Sequence, residues 1–332
     1  DLVILYGKRF NEEPFYPTNQ ITYGPAHDRD RYTVRNCSIQ PATGYSGEIH
    51  CAAAAGVGKN HVWTFHRGAD RYEATDCCNT SNVCDTCTSY SPPIIFMFVG
   101  AGVSDGGDPV LAQELNVSNA KASTRGGETV VIVGNHFGPL GPGNIDEITY
   151  DARGFSNYSV KDCTVSKTNE QITCDTVEGV GERLNWKLSI GGQANQAPTT
   201  AYLPPKISRV SSHLTNALNL LDTRGGDFIE IEGSHFGFQN HLVSAFMVRD
   251  GIGGRKTSMQ LNCSLKTAHR TIQCITRDGS GSGYKWEVVV AGQKSGTWSD
   301  ANTGYAPPEV EKIMMQCDPV HVSSCENMVG SG

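Results

Sequence analysis

Residues 129–138 read TVVIVGNHFG and residues 228–237 read FIEIEGSHFG. In both, apolar residues recur at every second position, the period of a strand with one buried face, and the run stops at Gly-x-His-Phe-Gly. Near the start of the chain, residues 2–10 read LVILYGKRF, again a strand followed by Gly, two residues and Phe. A motif that returns three times makes repetition the first fact about this chain, ahead of any single strand.

The likeness extends downstream of each strand. ITYGP (21–25) and ITYDA (148–152) follow in the first two copies. Two cysteines then flank a polar turn in every copy: Cys37 and Cys51, Cys163 and Cys174, Cys263 and Cys274. Next come GVGKNHVW (56–63), GVGERLNW (179–186) and GSGSGYKW (279–286), glycine turns leading to a Trp that opens another strand. Each copy closes on a proline pair, in YSPPII (90–95), YLPPKI (202–207) and YAPPEV (305–310). Two prolines cannot continue a ladder, so they mark boundaries. The period is roughly 100 residues of short strands with no helical pattern, which predicts β-sandwiches.

A Pro-Pro lead into an apolar strand, then TRGG (124–127 and 223–226), the GNHFG or GSHFG strand and a cysteine hairpin, together resemble the IPT/TIG family of immunoglobulin-like domains. The resemblance covers nearly the whole chain. It implies an all-β array of three tandem sandwiches of the kind found in extracellular regions, used for adhesion, spacing or assembly, and it does not imply catalysis. The expected division is 1–91, 92–203 and 204–306 for domains 1 to 3, with a tail at 307–332. A cysteine-rich insertion at 70–90 is peculiar to domain 1.

Domain 1 opens on its second strand, with nothing before it to correspond to the strands that follow the first two proline pairs. The tail has the complementary content: a lead strand and a glycine turn, with no second strand after them. Read across the two ends, GSG followed by DLVILYGKRF aligns without a gap on RGGDFIEIEGSHF (224–236). The expectation is that residues 307–332 are the front end of domain 1. Leu2, Val3, Ile4, Leu5 and Tyr6 would form an acceptor strand, and Val310, Ile313, Met314 and Met315 a donor. A sandwich without this strand leaves a row of unpaired backbone groups and an apolar groove. Donation between units, a continuous repetitive polypeptide, or closure into a ring would each satisfy it; stiff Pro-Pro linkers disfavour the ring. The first two are head-to-tail contacts that do not close, and such contacts make filaments. The expected main partner is therefore the chain itself.

Composition bounds the remaining readings. The 332 residues carry a net charge of −7, with no basic run to serve as a footprint for nucleic acid. The run IIFMFVGAGV (94–103) is about half the length a membrane-spanning helix needs. The even count of 12 cysteines, with sequons at Asn36, Asn79, Asn116, Asn157 and Asn262, points to an oxidising, extracellular setting and to attached glycans. Cys77, Cys78, Cys84 and Cys87 are expected to form two disulfides in the insertion, with connectivity open; Cys317 and Cys325 most simply pair with each other. Metal chemistry lacks paired ligands at useful spacing, and no cofactor is expected. GVGKNH falls short of a phosphate loop. Asp105 and Asp108 lack the ligand count of a calcium loop. His136 and His235 have Arg9 as their counterpart and suggest packing beside Phe137 and Phe236. Trp63, Trp186 and Trp286 read as core anchors. A structural protomer leads the functional reading, an adhesion or receptor ectodomain is its rival, and no enzyme constellation recurs.

Overall fold

The structure, a computed structural model, describes residues 1–8, 19–40, 46–74, 87–100, 121–151, 157–196, 200–213, 217–251 and 255–312. The chain is an all-β array of tandem sandwiches. Domain 1 contains β1 (Leu2–Lys8), β2 (Asn19–Gly24), β3 (Tyr32–Thr33), β4 (Arg35–Gln40), β5 (Ser46–Ala52), β6 (His61–Arg67), β7 (Asp70–Glu73) and β8 (Cys87–Thr88). Domain 2 contains β9 (Ile94–Gly100), β10 (Lys121–Ala122), β11 (Thr129–Asn135), β12 (Ile145–Asp151), β13 (Asn157–Ser159), β14 (Lys161–Lys167), β15 (Gln171–Asp175), β16 (Glu182–Ile190), β17 (Gln193–Gln196) and β18 (Thr200–Tyr202). Domain 3 contains β19 (Lys206–Ser212), β20 (Phe228–Ser234), β21 (Val243–Asp250), β22 (Lys256–Gln260), β23 (Asn262–Thr267), β24 (Thr271–Ile275), β25 (Ser282–Val290), β26 (Gln293–Lys294) and β27 (Trp298–Gly304).

Each domain packs one sheet carrying the Trp strand against another carrying the cysteine hairpin. The Trp sits at the same place every time, buried, with its indole N–H donating to a threonine on the last strand of its domain: Trp63 to Thr88 (3.0 Å), Trp186 to Thr200 (2.8 Å) and Trp286 to Thr303 (2.8 Å). A buried indole nitrogen left unpaired would be costly, so the Thr follows from the Trp. The tyrosine before each proline pair is equally repetitive, its hydroxyl donating to the carbonyl of Ala54, Val177 or Arg277. Disulfides join Cys37 to Cys51, Cys163 to Cys174 and Cys263 to Cys274 across the hairpins.

Strand β7 and strand β8 fall inside the stretch expected as an insertion, yet both pair with β6. They match β17 and β18 on β16, and β26 and β27 on β25, so residues 70–73 and 87–88 belong to the common sandwich. Cys87 is disulfide-bonded. Cys77, Cys78, Cys84, Cys317, Cys325, Asn79, Asn116, Asp105, Asp108, Ile313, Met314 and Met315 lie outside the described residues.

Successive domains meet through one recurring device. Val57 of domain 1 is 3 % exposed and belongs to the apolar core of domain 2; Val180 of domain 2 is 2 % exposed and belongs to that of domain 3. Each valine lies over a glycine of the next domain, Gly138 or Gly237, where a Cβ would collide with it. From the next domain, Gln193 donates to the Tyr90 carbonyl and Gln293 to the Tyr202 carbonyl, both at 2.9 Å.

Candidate assembly site at the open edge of domain 1

The hairpin sheets of domains 2 and 3 are 4-stranded, in the orders β14-β15-β11-β9 and β19-β20-β24-β23. In both, the strand after the proline pair covers the edge of the Gly-x-x-Phe strand. The corresponding sheet of domain 1 is 3-stranded, in the order β1-β5-β4. No described strand lies on the free side of β1.

The frame is otherwise maintained up to residue 1. The N–H of Thr176 donates to Glu128 and that of Thr276 to Asp227; in domain 1 the N–H of Ala53 donates to the Asp1 carbonyl at 2.9 Å. The glycine turn breaks the pattern. Gly179 donates to the Thr124 carbonyl and Gly279 to that of Thr223, both residues lying ahead of the Gly-x-x-Phe strand. Gly56, their counterpart, has no such acceptor among the described residues.

The core shows the same gap. Ile132 and Ile231 are fully buried, as is Ile229, with Val130 nearly so. Their counterparts in β1, Leu5 and Val3, are only partly buried. In domain 2 the ring of Phe98, on β9, lies 4.7 Å from that of Trp186. Among the described residues of domain 1, Trp63 keeps its tyrosine neighbour, Tyr23 at 4.3 Å, without a ring in the place of Phe98. A cleft of about 560 Å³ is lined by Val3, Tyr23, His61, Trp63 and Tyr90, with His136 of domain 2 at its rim. Inside it, the Tyr23 and Tyr90 hydroxyls meet at 2.5 Å. Burial raises both phenol pKa values, and Tyr23 reinforces the effect on Tyr90. Burial, with Arg31 second, lowers His61 from 6.5 to about 4. Its Nδ1 has no hydrogen-bond partner. Neutral rings therefore line the cleft.

Of the acceptor residues, Leu2 (66 % exposed), Ile4 (37 %) and Tyr6 (74 %) face outward, while Val3 and Leu5 pack against the core of domain 1 and Val3 also lines the cleft. Val310 is 74 % exposed, so the described part of the tail is not packed on its own chain. Asn36, Asn157 and Asn262 are exposed. His136 is at positive φ and its Nδ1 lies 3.1 Å from the Pro92 carbonyl, so it holds the linker rather than only packing beside Phe137. Sequence reasoning did not single out Val57, Val180, Gln193 or Gln293; the paired GVG turns and the GGQ and AGQ triplets were the available signal. No group of three or more His, Cys, Asp or Glu that could hold a metal occurs among the described residues, and no described helix is long and apolar enough to cross a membrane.

No protein-family model matches the chain, and no curated protein does. Solved structures resemble it weakly. A surface glycan-binding protein, PbSGBP-B from Prevotella bryantii, aligns over 64 % of this chain and 42 % of its own, with 10 % identity and a TM-score of 0.38. The full extracellular region of plexin A4 aligns over 92 % of this chain and 32 % of its own, at 11 % identity and a TM-score of 0.25. The Escherichia coli adhesin FdeC aligns over 92 % and 91 %, at 10 % identity and a TM-score of 0.26. The chain thus spans less than half the length of the Prevotella protein.

Proposed function

We propose that this chain is an extracellular, disulfide-braced structural unit of IPT/TIG-type sandwiches that joins head to tail. In this reading a strand with the sequence of residues 307–332 completes domain 1 of the next unit, donated by a separate copy or continuous with it. The observation that carries the reading is that no described strand covers the edge of β1, beneath which Val3 and Leu5 are only partly buried. The spacing of apolar residues in the tail supports this pairing. In β9 the core-facing residues after the proline pair are Ile95 and Phe98, opposite Gly134 and Ile132; in β19 they are Ile207 and Val210, opposite Gly233 and Ile231. The three-residue spacing reflects a bulge in both ladders. After Pro307 and Pro308 the same sequence positions hold Val310 and Ile313, which in this reading would lie opposite Gly7 and Leu5, with Met315 opposite Val3. Burying two such side chains contributes about 1.5–3 kcal/mol each, and the added ladder pairs a sheet edge that is otherwise open. The three disulfides suit an oxidising compartment, and glycans on Asn36, Asn157 and Asn262 would lie on exposed positions. No catalytic step is assigned.

The test is the Ile313→Asp variant. Electron microscopy should show filaments or oligomers in the parent and, for donated strands, shortened or absent ones in the variant, while domains 2 and 3 melt as before; unchanged filaments in which domain 1 also melts as before would overturn the reading. For a continuous polypeptide the same change would loosen one domain per repeat and leave the length intact.

A second reading, an adhesion or glycan-binding ectodomain, is favoured by the aromatic lining of the same cleft. The neighbours named for glycan binding and adhesion share the fold at low similarity, so this reading stands on the cleft. It predicts monodisperse chains and saturable binding on a glycan array that is lost in Trp63→Ala.

A further inference from the structure

We propose that the three sandwiches of a unit move as one body and that the joint to the following unit is a hinge. The inference rests on the head-to-tail reading above, which supplies the following domain.

The two internal joints have four parts each. The giving domain presents a valine on its glycine turn, Val57 or Val180. A tyrosine clamps that turn from inside: Tyr32 donates to the Val57 carbonyl (3.0 Å) and accepts from the Val57 N–H (3.1 Å), and Tyr158 does the same for Val180 at 3.2 and 3.1 Å. The receiving domain offers a glycine under the valine, Gly138 or Gly237. It also sends a glutamine back to the carbonyl of the last tyrosine, Gln193 or Gln293. Apolar burial and a directed hydrogen bond together restrict both sliding and rotation, which domains in contact otherwise have.

Three of the four parts, the valine, the glycine and the glutamine, are replaced where the next joint would form. On the giving side, domain 3 has Ser280 in place of the valine, and it is exposed. Register fixes the clamp position: Tyr23 faces Tyr32, Tyr150 faces Tyr158, and Met247 faces Met259, so the clamp comes from another place in domain 3, where the Tyr284 hydroxyl donates to the Ser280 carbonyl at 3.1 Å. On the receiving side, the glutamine faces Ile190 or Val290 across its turn, and the residue facing Arg67 is Asp70. A carboxylate cannot donate to a carbonyl and would repel one. In sequence, Asn11 stands where Gly138 and Gly237 stand. Loss of both halves of the valine–glycine contact, together with the glutamine donor, removes the lock from that joint. The proline pair, Pro307 and Pro308, the preceding Tyr305 and a tyrosine bond to the glycine turn are retained there.

The experiment uses two full chains joined genetically, residue 332 to residue 1, with paired spin labels across each joint and dipolar distance distributions as the readout. The distribution across the domain 3 to domain 1 joint should be at least about twice as broad as across the internal joints. In the single chain, Gln293→Asp combined with Val180→Ser should broaden the domain 2 to domain 3 distribution similarly, with unchanged circular dichroism confirming the fold; Gln293→Asp alone should act in the same direction if the double variant does not fold. An outer distribution as narrow as the internal ones, or no broadening in these variants, overturns the hinge. Failure of the head-to-tail reading gives a different signature: amide exchange at Ile4 and Tyr6, whose N–H groups point away from β5 to the free edge, would then be equally fast in both copies of domain 1, whereas strand completion protects the second copy alone.

Discussion

Position 61 shows how one side chain separates domain 1 from its siblings. Leu184 and Tyr284 occupy the corresponding place, two residues before the Trp. His61 is 1 % exposed and its pKa is lowered to about 4. An unfolded chain takes up a proton near 6.5 and the folded one does not, so stability is complete above that pH and declines as pH falls toward about 4. The full loss is about 3 kcal/mol. Denaturant titrations of the chain between pH 7 and 4 should show this decline, and His61→Leu should flatten it. At Gly138, φ is +84° and Val57 lies directly above. Gly138→Val should therefore open the joint between domains 1 and 2, at about 1–2 kcal/mol for the backbone alone, and enlarge the radius of gyration in small-angle scattering without changing the disulfides. Neither residue was marked by sequence reasoning, since a histidine before Trp and a glycine after Phe look like loop choices until the neighbouring domain is seen.

At the level of the element, the cysteine hairpins were legible because spacing and position recurred together. Removing one, by Cys263→Ala with Cys274→Ala, should cost about 2–4 kcal/mol and lower the melting of domain 3 in calorimetry, leaving domain 1 at its original temperature. Strand β7 was not legible. Its sequence, DRYE, is polar throughout and exposed, so periodicity gave no signal, and the cysteines beyond it drew the whole stretch into an apparent insertion. The open edge of β1 was legible for a different reason. Two complete copies in the same chain display the covering strand and its register, so an absence could be read by comparison. What the alignment could not give was the depth of the gap, which depends on Val3 and Leu5 being half-covered and on Trp63 lacking the ring that Phe98 supplies to Trp186.

For the molecule as a whole, the first measurement is reducing, denaturing electrophoresis beside negative-stain microscopy of the same material. Filaments that dissolve to one band near 36 kDa plus glycan, the chain mass being 35.8 kDa, would match donated strands. Filaments that persist as far longer chains would match a continuous polypeptide, and dispersed single arrays would favour the binding ectodomain. One feature of the joints reaches beyond assembly. Val57 and Val180 each belong to the core of the sandwich that follows, and among the described residues none of a following domain belongs to the core of its predecessor. Dependence therefore runs one way along the array, as in a row of repeats with nearest-neighbour coupling. When domain 1 unravels under a stretching force, domain 2 is left with a valine-sized hole in its interior; when domain 3 unravels, domain 2 keeps its core intact. Rupture under load should travel from the amino end toward the carboxyl end, and a single-molecule pulling trace would record that direction as a falling sequence of unfolding forces.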